Sequence, residues 1–151
     1  MRVAALLRMS ALLGLLIALA TTTPARPAPA VERVPVFFQF SADDEVGAAY
    51  VQKLRAALET STSYRSVSKA ADAQFVIAIV TMDPNEAEVG SGAGQSTVAS
   101  VTLQLENTKG LNYMIYSWVL VANRAKVDSL ATGLFAAIDK EIRDLKAQVA
   151  P

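Results

Sequence analysis

Five groups of residues have types and spacings that invite chemistry. Ser66-Val67-Ser68-Lys69 has the S-x-x-K spacing of a serine nucleophile served by a lysine. That chemistry needs the serine at a helix N-terminus, with the lysine one turn on. The flanking residues read instead as a strand, where positions i and i+3 face opposite ways. Asp43, Asp44 and Glu45 offer paired carboxylates for acid–base work. They also stand where a helix begins, and carboxylates there oppose the positive end of the dipole. Gly90-Ser91-Gly92-Ala93-Gly94 invites a phosphate cradle, which needs N–H groups aimed by a following helix. A strand follows, no Gly-Lys-Ser/Thr occurs, and Glu86 and Glu88 would repel phosphate. Asp83, Asn85, Glu86 and Glu88 carry oxygens suited to Ca²⁺, but their spacing matches no EF-hand loop and Pro84 stiffens it. Tyr113, Tyr116 and Trp118 suit stacking on sugars or bases. Being close neighbours on one strand, they divide between its faces, so at least one belongs to the core.

Missing residue types narrow the field further. The chain has no histidine, the commonest general base and transition-metal ligand. It has no cysteine, so no disulfide supports it and no acylated cysteine anchors it. No metal and no cofactor is expected. A small hydrolase using carboxylates and serine remains as an alternative, and so does a carrier of an apolar ligand.

The N-terminus reads as an export signal. Arg2 and Arg8 precede the apolar run Met9–Ala20, which is too short to span a bilayer. Ala18-Leu19-Ala20 and Ala28-Pro29-Ala30 both fit cleavage, after Ala20 or after Ala30. Residues 1–20 are thus expected to be a signal peptide, residues 21–33 a Pro-rich leader, and residues 34–149 a single domain. The expected location is periplasmic or secreted, with membrane contact only through the signal. Of 14 basic and 14 acidic residues, only Arg2, Arg8 and Arg26 precede residue 31, which leaves the remainder at −3. A mildly acidic domain without a basic run is a poor partner for nucleic acid.

The elements that must position these residues follow from periodicity. Gln74–Met82 (QFVIAIVTM) is apolar at nearly every position and reads as the central strand. Val34–Phe40 alternates, with Phe37 on the face opposite Val36 and Phe38. Ser41 is expected to cap a helix carrying Val46, Tyr50, Leu54, Ala57 and Leu58 on one stripe. Tyr64–Ser68 reads as a short strand. Ser96–Leu105, a turn at Asn107–Gly110 and Leu111–Val121 read as a hairpin. Strict alternation sets Met114, Tyr116, Trp118 and Leu120 against Tyr113, Ile115, Val119 and Val121. From Lys126 the period becomes helical, with Val127, Leu130, Leu134, Ile138, Ile142, Leu145 and Val149 as the stripe. Gly133 interrupts it and suggests close approach to the sheet.

The order β-α-β-β-β-β-α implies an α+β two-layer sandwich: a mostly antiparallel sheet of four to five strands with two helices on one face. Two helices cover one face, yet both faces of the central and last strands are apolar. The open face is therefore expected to meet an envelope protein or a second copy of the chain, with Phe37, Tyr113, Tyr116 and Trp118 as candidate binding residues.

Ala71–Val80 (ADAQFVIAIV), Val98–Asn107 (VASVTLQLEN), Gly110, Tyr116–Val121 (YSWVLV) and the C-terminal amphipathic helix carry a family likeness. In this order they resemble the periplasmic N-terminal α+β domain of the Tol translocation protein, and the related curli-secretion and penicillin-binding-protein-activator domains. The β-propeller of the first and the lipid-anchoring cysteine of the others are not matched here. The resemblance implies a non-catalytic envelope module that binds other proteins. It carries over no functional residue.

Overall fold

A computed structural model describes residues 32–86, 92–106 and 112–149 of the chain, without the side chains of Asn112 and Val149. The expected signal peptide, nearly all of the leader, Glu88 and the Asn107–Gly110 turn lie outside the described residues.

The elements run β1 (Val34–Ala42), α1 (Glu45–Thr60), β2 (Tyr64–Val67), β3 (Phe75–Met82), β4 (Ser96–Glu106), β5 (Asn112–Asn123) and α2 (Val127–Val149). The fold is an α+β sandwich, as the periodicities imply. Its five strands lie in the order β2-β1-β3-β4-β5, with β3 at the centre. Pairing is more evenly divided than the expected, mostly antiparallel sheet. β1 is parallel to both β2 and β3, whereas β4 is antiparallel to β3 and β5. The reason lies in the connections. Parallel neighbours need a long crossover, which α1 supplies between β1 and β2.

Both helices pack on one face. From the sheet, Val36, Phe75, Ile77, Ile79, Val101 and Leu103 enter the core. They meet Tyr50, Leu54 and Leu58 of α1 and Leu134, Ile138 and Ile142 of α2. The stripes read from the sequence are the stripes that are buried, because a 3.6-residue period puts those positions on one side. Ala57 is only half-buried, and Val51 and Ala131 join the core.

Two local expectations are corrected. Ser41 does not cap α1, because the backbone there is held in the β1–β3 ladder, where Ser41 faces Val80 and Ala42 faces Thr81. The cap is Asp44, whose Oδ1 accepts from the Gly47 N–H at 2.6 Å. Gly133 does not allow a close approach either. It is exposed, and a Cβ there would meet nothing within 4 Å. Gly133→Ala is therefore expected to raise stability by about 1 kcal/mol through helix propensity alone. A urea melt showing a loss instead would mean that the site is crowded.

Tyr50 and Tyr64 are almost fully buried. Tyr64 donates to Asp139 Oδ1 at 2.6 Å, tying β2 to α2. The Tyr50 hydroxyl finds no partner among the described residues. Burial raises the pKa of both phenols above the ordinary 10, and the Asp139 carboxylate adds to the rise at Tyr64. A group whose folded pKa is raised contributes stability present below its unfolded pKa and lost as pH climbs past it. Above pH 10 each tyrosine is thus expected to cost about 1.4 kcal/mol per pH unit. Tyr50→Phe removes one share of that slope. At neutral pH it is expected to be neutral or stabilising by up to about 1 kcal/mol, since it deletes a buried donor without a partner. Denaturant melts at pH 7 and above pH 10 check both points. An unchanged alkaline slope in Tyr50→Phe would refute the assignment.

Candidate functional site

The face away from the helices is read row by row from the register. Phe37, Val76, Gln104 and Met114 lie across the sheet from one another. Gln39, Ala78, Thr102 and Ser117 form the next row, followed by Ser41, Val80, Ser100 and Val119. Met82, Val98 and Val121 form the last. The outward side of β4 is thus Ser, Thr and Gln through its middle, as its alternation requires.

One end of this face is covered by the chain itself. β2 and β3 flank β1 at the same level, so the link 68–74 has to cross β1, and its 3-10 turn at Ala70–Asp72 touches that strand. Val76 faces away from the helix-side core and is nonetheless only 2 % exposed. That burial requires cover on this side of the sheet, and the link that crosses β1 runs past the same end of it. Phe37 sits on this face as expected, but at its covered end and half-buried.

The other three aromatics all lie on the helix side of the sheet, and strict alternation misplaces one of them, Tyr113. Trp118 lies opposite Val101, and Tyr116 opposite Leu103, on the helix side of the sheet. Their rings stack on each other with centroids 4.7 Å apart. Tyr113 lies opposite Leu105, again a helix-side position. The cause is a β-bulge. Leu103 pairs with Tyr116 while Gln104 pairs with Met114, so Ile115 is an extra residue that packs against the core. One extra residue reverses the facing of everything beyond it. Met114 therefore shares the open face with Val119 and Val121, and Tyr113 joins Tyr116 and Trp118 on the helix side. No single-strand pattern reveals such a shift, because the bulge is a relation between two strands.

Apart from Met114 at the far end of β5 (68 % exposed), the open apolar surface of this face is one corner: Val80 (49 % exposed), Met82 (57 %), Val119 (75 %) and Val121 (67 %), with Val98 half-buried among them. These side chains come from the ends of β3 and β5 and the start of β4. Alternation alone joins Val119 to Val121; the sheet register brings Val80 and Met82 beside them.

The polar groups tested for chemistry are engaged in structure. Asp44 caps α1 and also accepts from the Thr97 hydroxyl at 2.7 Å. Glu45 is paired with Arg124 at 2.7 Å on the surface, and the guanidinium holds its carboxyl below the usual range. Asp83 accepts from the Asn85 and Gly94 N–H groups, closing the turn after β3. Gly94 has φ +73°, so glycine there serves the turn and not a phosphate. Ser66 lies in β2, and Lys69 follows the end of that strand. Among the described residues no three acidic side chains gather as a metal would need.

Cavities are small. A pocket lined by Val36, Phe38, Leu58 and Tyr64 has a volume of about 10 Å³, room for about one water. A hollow of about 230 Å³ between the starts of α1 and α2 is lined by Glu45, Lys53, Arg124 and Asp128. It is charged at its rim and falls short of the roughly 300 Å³ of a small-molecule site. Neither suits an apolar cargo.

No protein-family model matches the chain, and no curated protein matches it. Among solved structures it is similar to the hypothetical protein CT253 from Chlamydia trachomatis, at 14 % identity and a TM-score of 0.42. That likeness covers 74 % of this chain and 96 % of the other. It is also similar to the PelC dodecamer from Paraburkholderia phytofirmans, at 18 % identity and a TM-score of 0.38, over 76 % of this chain and 89 % of that one.

Proposed function

We propose that this chain is an exported, non-catalytic protein-binding or assembly module of the bacterial cell envelope. The observation that carries the reading is the apolar corner of Val80, Met82, Val119 and Val121 on the sheet face that neither α1 nor α2 covers. Exposed apolar surface gathered at one place is suited to docking another protein. The basic start and short apolar run of the N-terminus support export to the periplasm or medium. The engagement of Asp44, Glu45 and Asp83 in caps, ion pairs and turns supports a structural use of those carboxylates.

The test is site-specific photo-crosslinking in a bacterial host that expresses the full chain. A benzophenone residue at Met82 is expected to give discrete protein adducts in the periplasmic fraction. The same probe at exposed Gln52 on α1 serves as control and is expected to give none. Accumulation of the uncleaved chain in the cytoplasm, or equal labelling from both positions, would refute the proposal.

A further inference from the structure

We infer that β5 pairs antiparallel with the β5 of a second copy, about a twofold axis through Val119. This deepens the assembly reading by naming a partner, but it rests on the strand edge and not on the leader.

The first observation is the direction of the free backbone groups. The Arg124 N–H donates to Gln95 at 3.3 Å, and Ser96 faces Asn123 in register. Antiparallel hydrogen-bonded pairs alternate with non-bonded ones. Even-numbered residues of β5 from Tyr116 to Ala122 therefore bond inward to β4. The bond from Glu106 N–H to Gln74 agrees, since it assigns the even residues of β4 to β3 and leaves the odd ones for β5. Ser117, Val119 and Val121 then turn both N–H and C=O away from the sheet. β5 is the last strand in the order, and among the described residues nothing pairs with that side.

The second observation is the lack of protection. Edge strands are ordinarily short, charged, interrupted by proline or covered. The opposite edge follows that rule: β2 has four residues and carries exposed Arg65. β5 has twelve residues and neither a charge nor a proline among them. Two of the residues with unpaired backbone groups, Val119 and Val121, also have largely bare apolar side chains. A strand added here would satisfy the backbone and extend the apolar corner in one step.

The third observation selects a second copy and its register. The bulge at Ile115 and the 3-10 turn at Arg124 bound a straight segment, Tyr116–Asn123. An antiparallel pair about a twofold axis is isologous, so the segment must be complementary to itself. A dyad at Val119 pairs Val119 with its own copy at roughly 5.5 Å between Cα atoms, and Ser117 with Val121. On the helix side it sets Trp118 beside Leu120 and the large Tyr116 beside the small Ala122. No like charges meet, because the segment has none. Half-buried Trp118 and Leu120 gain cover from each other.

The test is light scattering on the full chain, purified as the host processes it, with Val119→Lys and Val119→Glu. Val119 is 75 % exposed, so both variants are expected to keep the far-UV spectrum and melting curve of the parent. The parent is expected to be a dimer. Each variant alone sets like charges against each other at the dyad and is expected to weaken dimerisation about 100-fold. Mixing the two variants is expected to restore a mixed dimer. A monomeric parent at about 100 μM, or variants that stay dimeric, would overturn the pairing. Failure of the mixture to recover would overturn the register. A monomeric parent that still crosslinks from Met82 to another protein would remove the second copy and leave the module reading standing.

Discussion

Replacing Gly47 by alanine is expected to destabilise the protein by about 3 kcal/mol. Propensity alone predicts the opposite, a gain of about 1 kcal/mol for alanine inside a helix. Packing decides the sign. A Cβ at position 47 would lie 2.5 Å from both Asp44 Oδ2 and Thr81 Cβ, and closer still to the Thr81 hydroxyl. Gly47 and Thr81 are both buried, so neither the helix start nor the central strand can give way cheaply. The first turn of α1 would have to lift from the sheet and take the Asp44 bonds with it. Urea melts of Gly47→Ala measure the loss. In a Thr81→Gly background the same methyl is expected to cost much less, the mark of direct contact. A neutral or stabilising Gly47→Ala would show that the helix does not approach β3 as described.

Asp44→Ala is expected to cost about 2 to 3 kcal/mol. One carboxylate performs two tasks. Oδ1 satisfies the Gly47 N–H at 2.6 Å, an otherwise orphaned donor at the helix start. Oδ2 accepts from the buried Thr97 hydroxyl at 2.7 Å, fastening α1 to β4. Losing a cap accounts for about 1 kcal/mol. Leaving the Thr97 hydroxyl with only a 3.3 Å contact to the Met82 carbonyl accounts for the rest. Asp44→Asn keeps an acceptor for the cap and is expected to cost less than half as much. Equal losses in the two variants, read from chemical denaturation, would mean that the capping bond contributes little. Thr97→Val in the Asp44→Ala background separates the two tasks, since it removes the hydroxyl left unpaired.

The candidate site shows where sequence reading stops. The apolar excess on β3 and β5 was legible residue by residue, and Val80, Val119 and Val121 were visible as strand positions. Their meeting was not. The row that joins Val80 to Val119 through Ser100 exists only in the register of three strands. Tyr113 and Tyr116 read as lying on opposite faces, and the bulge at Ile115 set both on the helix side. Val76 read as one side of a strand apolar on both faces, and only the fold shows that it faces away from the helices and is still buried. The same limit applies to the carboxylates. Asp44 was recognisable as a helix-start acid, but its second bond runs to Thr97, 53 positions along the chain.

The sequence by itself determined the element order, the two helical stripes and the inward alternation of β4. Those follow from the period of a helix and the period of a strand, which act between near neighbours. Tertiary structure alone decided that β1 pairs in parallel on both sides, that Gly47 and not Gly133 is the point of close approach, and which corner of the sheet stays bare. Each of these depends on distant segments meeting at a given offset, and no local spacing encodes that offset.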